Sequence, residues 1–135
     1  MTILLDTHVI LWALTNDPQL SARARSLISD PENIVCVSTV SLWEIAVKNQ
    51  KSPRLCPYHE TEILEYCIKA GYLVTDIKPA HVLKLRTLQV KPDRTIANHD
   101  PFDRLLIAQA KAEGYVLLSH DRYFDHYDED CISMI

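Results

Sequence analysis

Apolar residues fall along this chain in two rhythms. Short, nearly unbroken apolar runs occupy Ile3–Leu5, Ile34–Ser38, Tyr72–Ile77, Val116–Ser119 and Ile132–Ile135. Runs of this kind suit strands buried on both faces, as a parallel sheet requires. Between them the apolar positions recur three and four residues apart, the period of a helix with one buried face. Ser21 can cap "ARARSLIS", which stops before Asp30-Pro31, and Ser41 opens "LWEIAVKNQ" with Leu42, Ile45 and Ala46 at helical spacing. "HETEILEYCIKA" runs up to Gly71, Pro79 suits the first turn of "AHVLKLRTL", and Asp100-Pro101 opens "FDRLLIAQAKAE".

Only two glycines occur, Gly71 and Gly114, each between a helical pattern and a strand run. Glycine there supplies the left-handed conformation that ends a helix. The alternation predicts an α/β fold: a three-layer α/β/α arrangement with a small parallel sheet, built as a single domain over residues 1–135. In such sheets ligands bind beyond the carboxyl ends of the strands, where the strand order reverses.

Composition narrows the function classes. Hydrophobic residues make up 47% of the chain, enough for a real core. No run of ~20 apolar residues exists, so no membrane span is expected. The start "MTILLDTHVILWAL" has no basic residues ahead of its apolar run and carries Asp6 and His8 within it, unlike a secretory signal. A cytoplasmic protein is expected. Four cysteines without a CxxC pair do not make a disulfide framework, and Cys56, His59 and Cys67 lack a fourth zinc ligand at ordinary spacing. The net charge of −4 argues against gripping nucleic acid by bulk attraction, but not against an enzyme that draws cations to a local acidic site.

Four acids stand at predicted element ends. Asp6 follows the first strand, Glu44 and Asp103 lie in first turns of helices, and Asp121 follows the strand Val116–Ser119. Each has an ordinary local use. Asp6 can cap the helix starting near Thr7, and Ser41-Leu42-Trp43-Glu44 matches a capping box. Asp103 favours the positive end of its helix, and Asp121 can cap "RYFDHY". Their joint placement says more, because strand carboxyl ends and helix amino ends share one edge of a doubly wound sheet. Four carboxylates at one edge repel unless cations sit among them. Oxygen-only ligands point to a hard divalent cation, magnesium or manganese rather than zinc. Such a site can activate water and clamp a phosphodiester.

"LLDTHVILWAL", "VSLWEIAVK", "HDPFDRLLIAQA" and "LLSHDRYF" resemble, in order and spacing, the four motifs of PIN-domain ribonucleases, and are most similar to the VapC-like toxins of bacterial toxin–antitoxin pairs. The resemblance implies a magnesium- or manganese-dependent endoribonuclease, with Asp6, Glu44, Asp103 and Asp121 as its acidic residues. On this view Asp6, Asp103 and Asp121 hold the metal, Glu44 ligates it or orients the attacking water, and Thr7 and Ser119 support them through their hydroxyls. It also implies a homodimer and an antitoxin whose carboxyl-terminal segment enters the acidic groove.

An RNA substrate needs cationic contacts as well. Lys48, Lys51 and Arg54 form a basic stretch after Glu44, and Lys91, Arg94, Arg104 and Arg122 lie near the other motifs. Arg104 and Arg122 each follow a proposed ligand directly and can instead buffer the acids. Trp12, Trp43 and Phe102 sit on apolar helix faces and read as core or dimer contacts rather than base-stacking platforms. Ser119-His120-Asp121 is no triad, since neighbouring side chains on a strand point to opposite faces. Two alternatives remain: a non-cleaving PIN-like module that holds RNA or protein, and another magnesium-dependent phosphohydrolase. Asp6-Thr7-His8 lacks the second aspartate of the D-x-D that haloacid-dehalogenase-type enzymes use.

Overall fold

In a computed structural model that describes residues 1–95 and 100–135, five strands form one sheet in the order β3-β2-β1-β4-β5. The strands are β1 Thr2–Leu5, β2 Ile34–Ser38, β3 Leu73–Thr75, β4 Val116–Ser119 and β5 Ile132–Met134. Every neighbouring pair runs parallel. The helices are α1 Thr7–Thr15, α2 Ala22–Ser29, α3 Thr39–Lys51, α4 Glu60–Lys69, α5 Pro79–Lys84 and α6 Pro101–Glu113. His99, the first residue of the third motif, lies outside the described residues.

Side-chain alternation along the central strand sorts the core into two halves. Ile3 and Leu5 pack on one face with Val9 and Ile10 of α1, Ala24 of α2 and Ile63 and Cys67 of α4. Leu4 points the other way, onto Leu106, Ile107 and Ala110 of α6 and onto Phe124. All of these side chains are buried. Each large one contributes ~1.5–3 kcal/mol by leaving water. Helices therefore cover both faces, as the unbroken apolar strands predict.

Local chemistry sets most boundaries. Ser21 Oγ accepts from the Ala24 N–H at 3.2 Å, and Asp100 Oδ1 accepts from the Phe102 N–H at 2.8 Å. Gly114 ends α6 at φ 73° and Gly71 follows α4 at φ 83°, both left-handed. Two predicted runs shorten. β3 spans Leu73–Thr75 rather than Tyr72–Ile77, because it is an edge strand and pairs only with Cys36–Ser38 of β2. Tyr72 and Ile77 instead pack into the opposite halves of the core. The run after Pro79 leaves α-helical geometry at Lys84 and ends as a 3-10 turn, Leu85–Thr87.

β1 has β2 on one side and β4 on the other. The chain leaves both β1 and β4 at the same sheet edge, at the point where the order reverses. That crevice is where an open parallel sheet receives a ligand.

Candidate active site

Asp6 leaves β1 at this edge and caps α1. Its backbone N–H continues the ladder to Leu118 O at 3.0 Å, so β4 fixes where the side chain emerges. Oδ1 accepts from the Thr7 N–H at 2.7 Å, and Oδ2 accepts from Ser119 Oγ at 2.9 Å. Ser119 is fully buried, and its oxygen also accepts from the Asp121 N–H at 3.1 Å. One hydroxyl thus ties the carboxylate of Asp6 to the backbone of Asp121. Asp121 in turn caps the 3-10 turn Arg122–His126, accepting from the Tyr123 N–H at 2.9 Å.

Glu44 arrives differently from the sequence reading. Ser41 does not open α3, and the Ser41–Glu44 capping box is absent. Ser38, the last residue of β2, is the cap: its Oγ accepts from the Val40 N–H at 3.1 Å, and α3 begins at Thr39. The strand runs straight into the helix, so Glu44 lies beyond the first turn on the inward face, beside buried Ser41 and Ile45. Thr7 Oγ1 donates to Glu44 Oε1 at 2.7 Å and lies 3.0 Å from the Ser41 hydroxyl. The Lys48 ammonium, one turn along, pairs with Glu44 Oε2. Asp103 stands in the first turn of α6, half-buried, with Asp100 capping the helix just before it.

The electrostatics show that these acids share one place. Burial, opposed by the Ser119 and Thr7 hydrogen bonds and reinforced by Glu44 and Asp121, raises Asp6 from 3.8 to about 7. Burial raises Asp103 from 3.8 to about 8, with Asp100, Asp6, Glu44 and Asp121 all pushing the same way. A carboxyl displaced upward by desolvation and like charge is a common mark of a functional site. Asp6 thus feels the charge of Glu44 and Asp121, and Asp103 feels that of Asp6, Glu44 and Asp121. Thr7 donates its hydroxyl to Glu44 and Ser119 donates its own to Asp6.

Among the described residues, no three His, Cys, Asp or Glu side chains close tightly enough to hold a metal ion unaided. The protein already engages both oxygens of Asp6, through the Thr7 N–H and the Ser119 hydroxyl, both of Glu44, through the Thr7 hydroxyl and the Lys48 ammonium, and one of Asp121. The donor set, oxygens with excess negative charge, still fits a hard divalent cation. Magnesium uses one or two carboxylates and keeps several waters, which suits carboxylates already engaged in this way.

The basic residues divide. Lys51 and Arg54 are exposed past Glu44, and Lys51 joins Lys48, Leu11 and Tyr58 around a cavity of about 330 Å³ next to Thr7. Arg122 is exposed, its guanidinium 5.7 Å from the centre of the Tyr123 ring. The Arg104 guanidinium donates to Leu85 O at 3.2 Å and lies 3.5 Å from the Tyr127 hydroxyl. Lys91 pairs with Asp125 at 3.2 Å. Trp12 packs against the first half of the core, while Trp43 is 55% exposed and meets Phe102 edge-to-face at 4.7 Å. Sequence reasoning missed Ser38 as the cap and the Thr7–Glu44 contact. An available signal was the Ser38-Thr39 pair directly ending a strand run.

A family model for the PIN domain matches residues 3–130. No curated protein matches the chain. Among solved structures, it is similar to a chain of VapBC2 from Rickettsia felis bound to a promoter DNA fragment, at 16% identity and TM-score 0.71, covering 100% of this chain and 99% of that one. A chain of DNA-bound VapBC from Salmonella typhimurium matches at 20% identity and TM-score 0.68, covering 99% and 98%. One of VapBC-1 from nontypeable Haemophilus influenzae matches at 17% identity and TM-score 0.60, covering 93% and 92%. At these identities the likeness is one of fold.

Proposed function

The chain belongs to the PIN domain family, and from that premise we propose that it is a divalent-metal-dependent endoribonuclease, the toxin of a toxin–antitoxin pair. The observation that carries this reading is the meeting of Asp6, Glu44, Asp103 and Asp121 at the switch point of the sheet, with Asp6 and Asp103 raised to about 7 and about 8. Magnesium or manganese held there supplies Lewis acidity, which activates water and offsets charge on the reacting phosphate.

The residues of the chain do the rest. Asp6, Asp103 and Asp121 are the ligands, and Ser119 and the Thr7 N–H hold the Asp6 carboxylate in one orientation. Glu44, aimed by Thr7, orients the attacking water or completes the ligand set. Lys51, Arg54, Arg94 and Arg122 are exposed and are the cations assigned to the RNA backbone. Arg104 is not assigned to RNA, since its donors face Leu85 and Tyr127.

The similar structures are VapBC assemblies, which supports an antitoxin partner here. A homodimer acting in the cytoplasm, with residues 1–135 as one domain, completes the proposal. Among the described residues no helix is long and apolar enough to cross a membrane.

The test is cleavage of a mixed RNA pool by the purified protein. Cleavage should need magnesium or manganese, stop with chelator, and vanish in Asp6→Asn at matched protein and metal. Cleavage that survives in that variant defeats the assignment. Growth arrest on expression alone, relieved by a small protein from the adjoining reading frame, tests the toxin role.

A further inference from the structure

We infer that Lys48 is the resident counter-cation of the acidic site: its ammonium occupies Glu44 until a divalent ion displaces it. The inference rests on the metal-dependent reading above and concerns how that site is loaded. Both oxygens of Glu44 are already taken, Oε1 by the Thr7 hydroxyl at 2.7 Å and Oε2 by the Lys48 ammonium. Glu44 is buried, with 4% of its side chain exposed, whereas the Lys48 side chain is 46% exposed. The buried acid is held in place and the cation beside it is free to leave.

The influence of Lys48 extends past its immediate partner. Partial burial would weaken its proton affinity, but Glu44, Asp100 and Asp103 together raise it. One lysine therefore answers charge on both α3 and α6. A buried carboxylate left without a partner is costly, so a metal-free site gains from keeping an internal cation. A divalent ion entering the same site supplies more charge and repels the ammonium.

The displaced side chain has a place to go. Lys48 lines the cavity of about 330 Å³ that also carries Thr7 and Lys51. Swung to that side, the ammonium joins Lys51 at the rim, where an RNA phosphate approaching the acids would meet it. Metal loading thus changes Lys48 from a partner of Glu44 into a free cation for substrate. Exchange of this kind is a competition, and it is read in binding rather than in turnover.

The experiment measures the dissociation constant of Mn2+ by electron paramagnetic resonance, without RNA. Lys48→Gln should bind Mn2+ about three- to five-fold more tightly than wild type, the range set by a partly exposed ion pair. Lys48→Arg keeps the cation and should stay within about twofold of wild type on the same scale. Lys51→Gln removes an equal charge nearby without touching Glu44, and should also stay close to wild type. In chelator, Lys48→Gln should melt below wild type, because the acids have lost their internal cation. Unchanged or weaker Mn2+ binding by Lys48→Gln, with wild type binding normally, overturns the exchange and leaves the ribonuclease reading standing. An equal gain in Lys51→Gln reduces the effect to net charge and also overturns it. If no form binds Mn2+ at millimolar concentration, the exchange and the metal-dependent reading fall together.

Discussion

A hydroxyl and a carboxylate decide how the acidic edge is held. Thr7 donates to Glu44 across 37 residues of sequence, and Ser119 donates to Asp6 across 113. Thr7→Val removes the first contact and leaves a buried carboxylate oxygen short of a donor, at a cost of ~1–3 kcal/mol. Thr7→Ser restores the hydroxyl and should recover most of that loss in urea unfolding. Asp6→Asn tests the opposite balance. Asparagine caps a helix about as well as aspartate, so the start of α1 survives the change. The charge that burial and its neighbours disfavour is gone. In chelator at pH 8, Asp6→Asn should therefore be more stable than wild type by on the order of 1–2 kcal/mol, while losing RNA cleavage. A urea midpoint that falls below that of wild type would mean the charge is better satisfied than the geometry indicates.

At the scale of elements, the strands and most helices were legible because their signals are local. Unbroken apolar runs marked all five strands, Asp100-Pro101 and Gly114 bounded α6, and Asp6 and Asp121 cap as their positions suggest. The register of α3 was not legible. Ser41-Leu42-Trp43-Glu44 satisfies a capping pattern by itself, but Ser38 ends β2 one step from the helix and takes the role first. What then uses Ser41 and Glu44 is Thr7, on another helix, and no spacing within α3 records that. Lys48 was readable as a basic residue but not as the partner of Glu44, since a helix begun at Ser41 would have turned Glu44 to a capping role. The corrected register makes a prediction of its own. Ser38→Ala should cost ~1 kcal/mol and speed amide exchange in the first turn of α3. Ser41→Ala should leave those amides unchanged, because its hydroxyl faces Thr7 instead.

For the molecule as a whole, the acids make stability depend on pH in an unusual direction. Asp6 and Asp103 rise from 3.8 to about 7 and about 8 on folding. Between those limits the folded chain binds more protons than the unfolded one, so stability falls as pH rises. Below the unfolded value both states are protonated and the penalty is absent. In chelator, urea unfolding should show a decline from about pH 5 to about pH 8 that magnesium flattens. A second pair, far from the acids, acts in the other sense. Buried His81 accepts the Lys78 N–H at Nδ1, which leaves its Nε2 proton for Glu113 Oε1 at 2.7 Å and clips α5 to α6. That hydrogen bond lowers Glu113 below its ordinary 4.5, so its stabilisation is lost only as pH drops through the lowered value. Stability that instead climbs steadily toward pH 8 in chelator would show that cations other than divalent ions already neutralise the edge.

β4 lies beside β1, although more than a hundred residues separate Asp6 from Ser119 along the chain. A ribosome making this protein must therefore pass Asp121, well over a hundred residues after Asp6, before the acids can meet. Until then, the emerging polypeptide carries Asp6 without the strand that positions it. A product cut short before Val116 would lack Ser119 and Asp121, and the Asp6 carboxylate would lose its Ser119 hydroxyl donor.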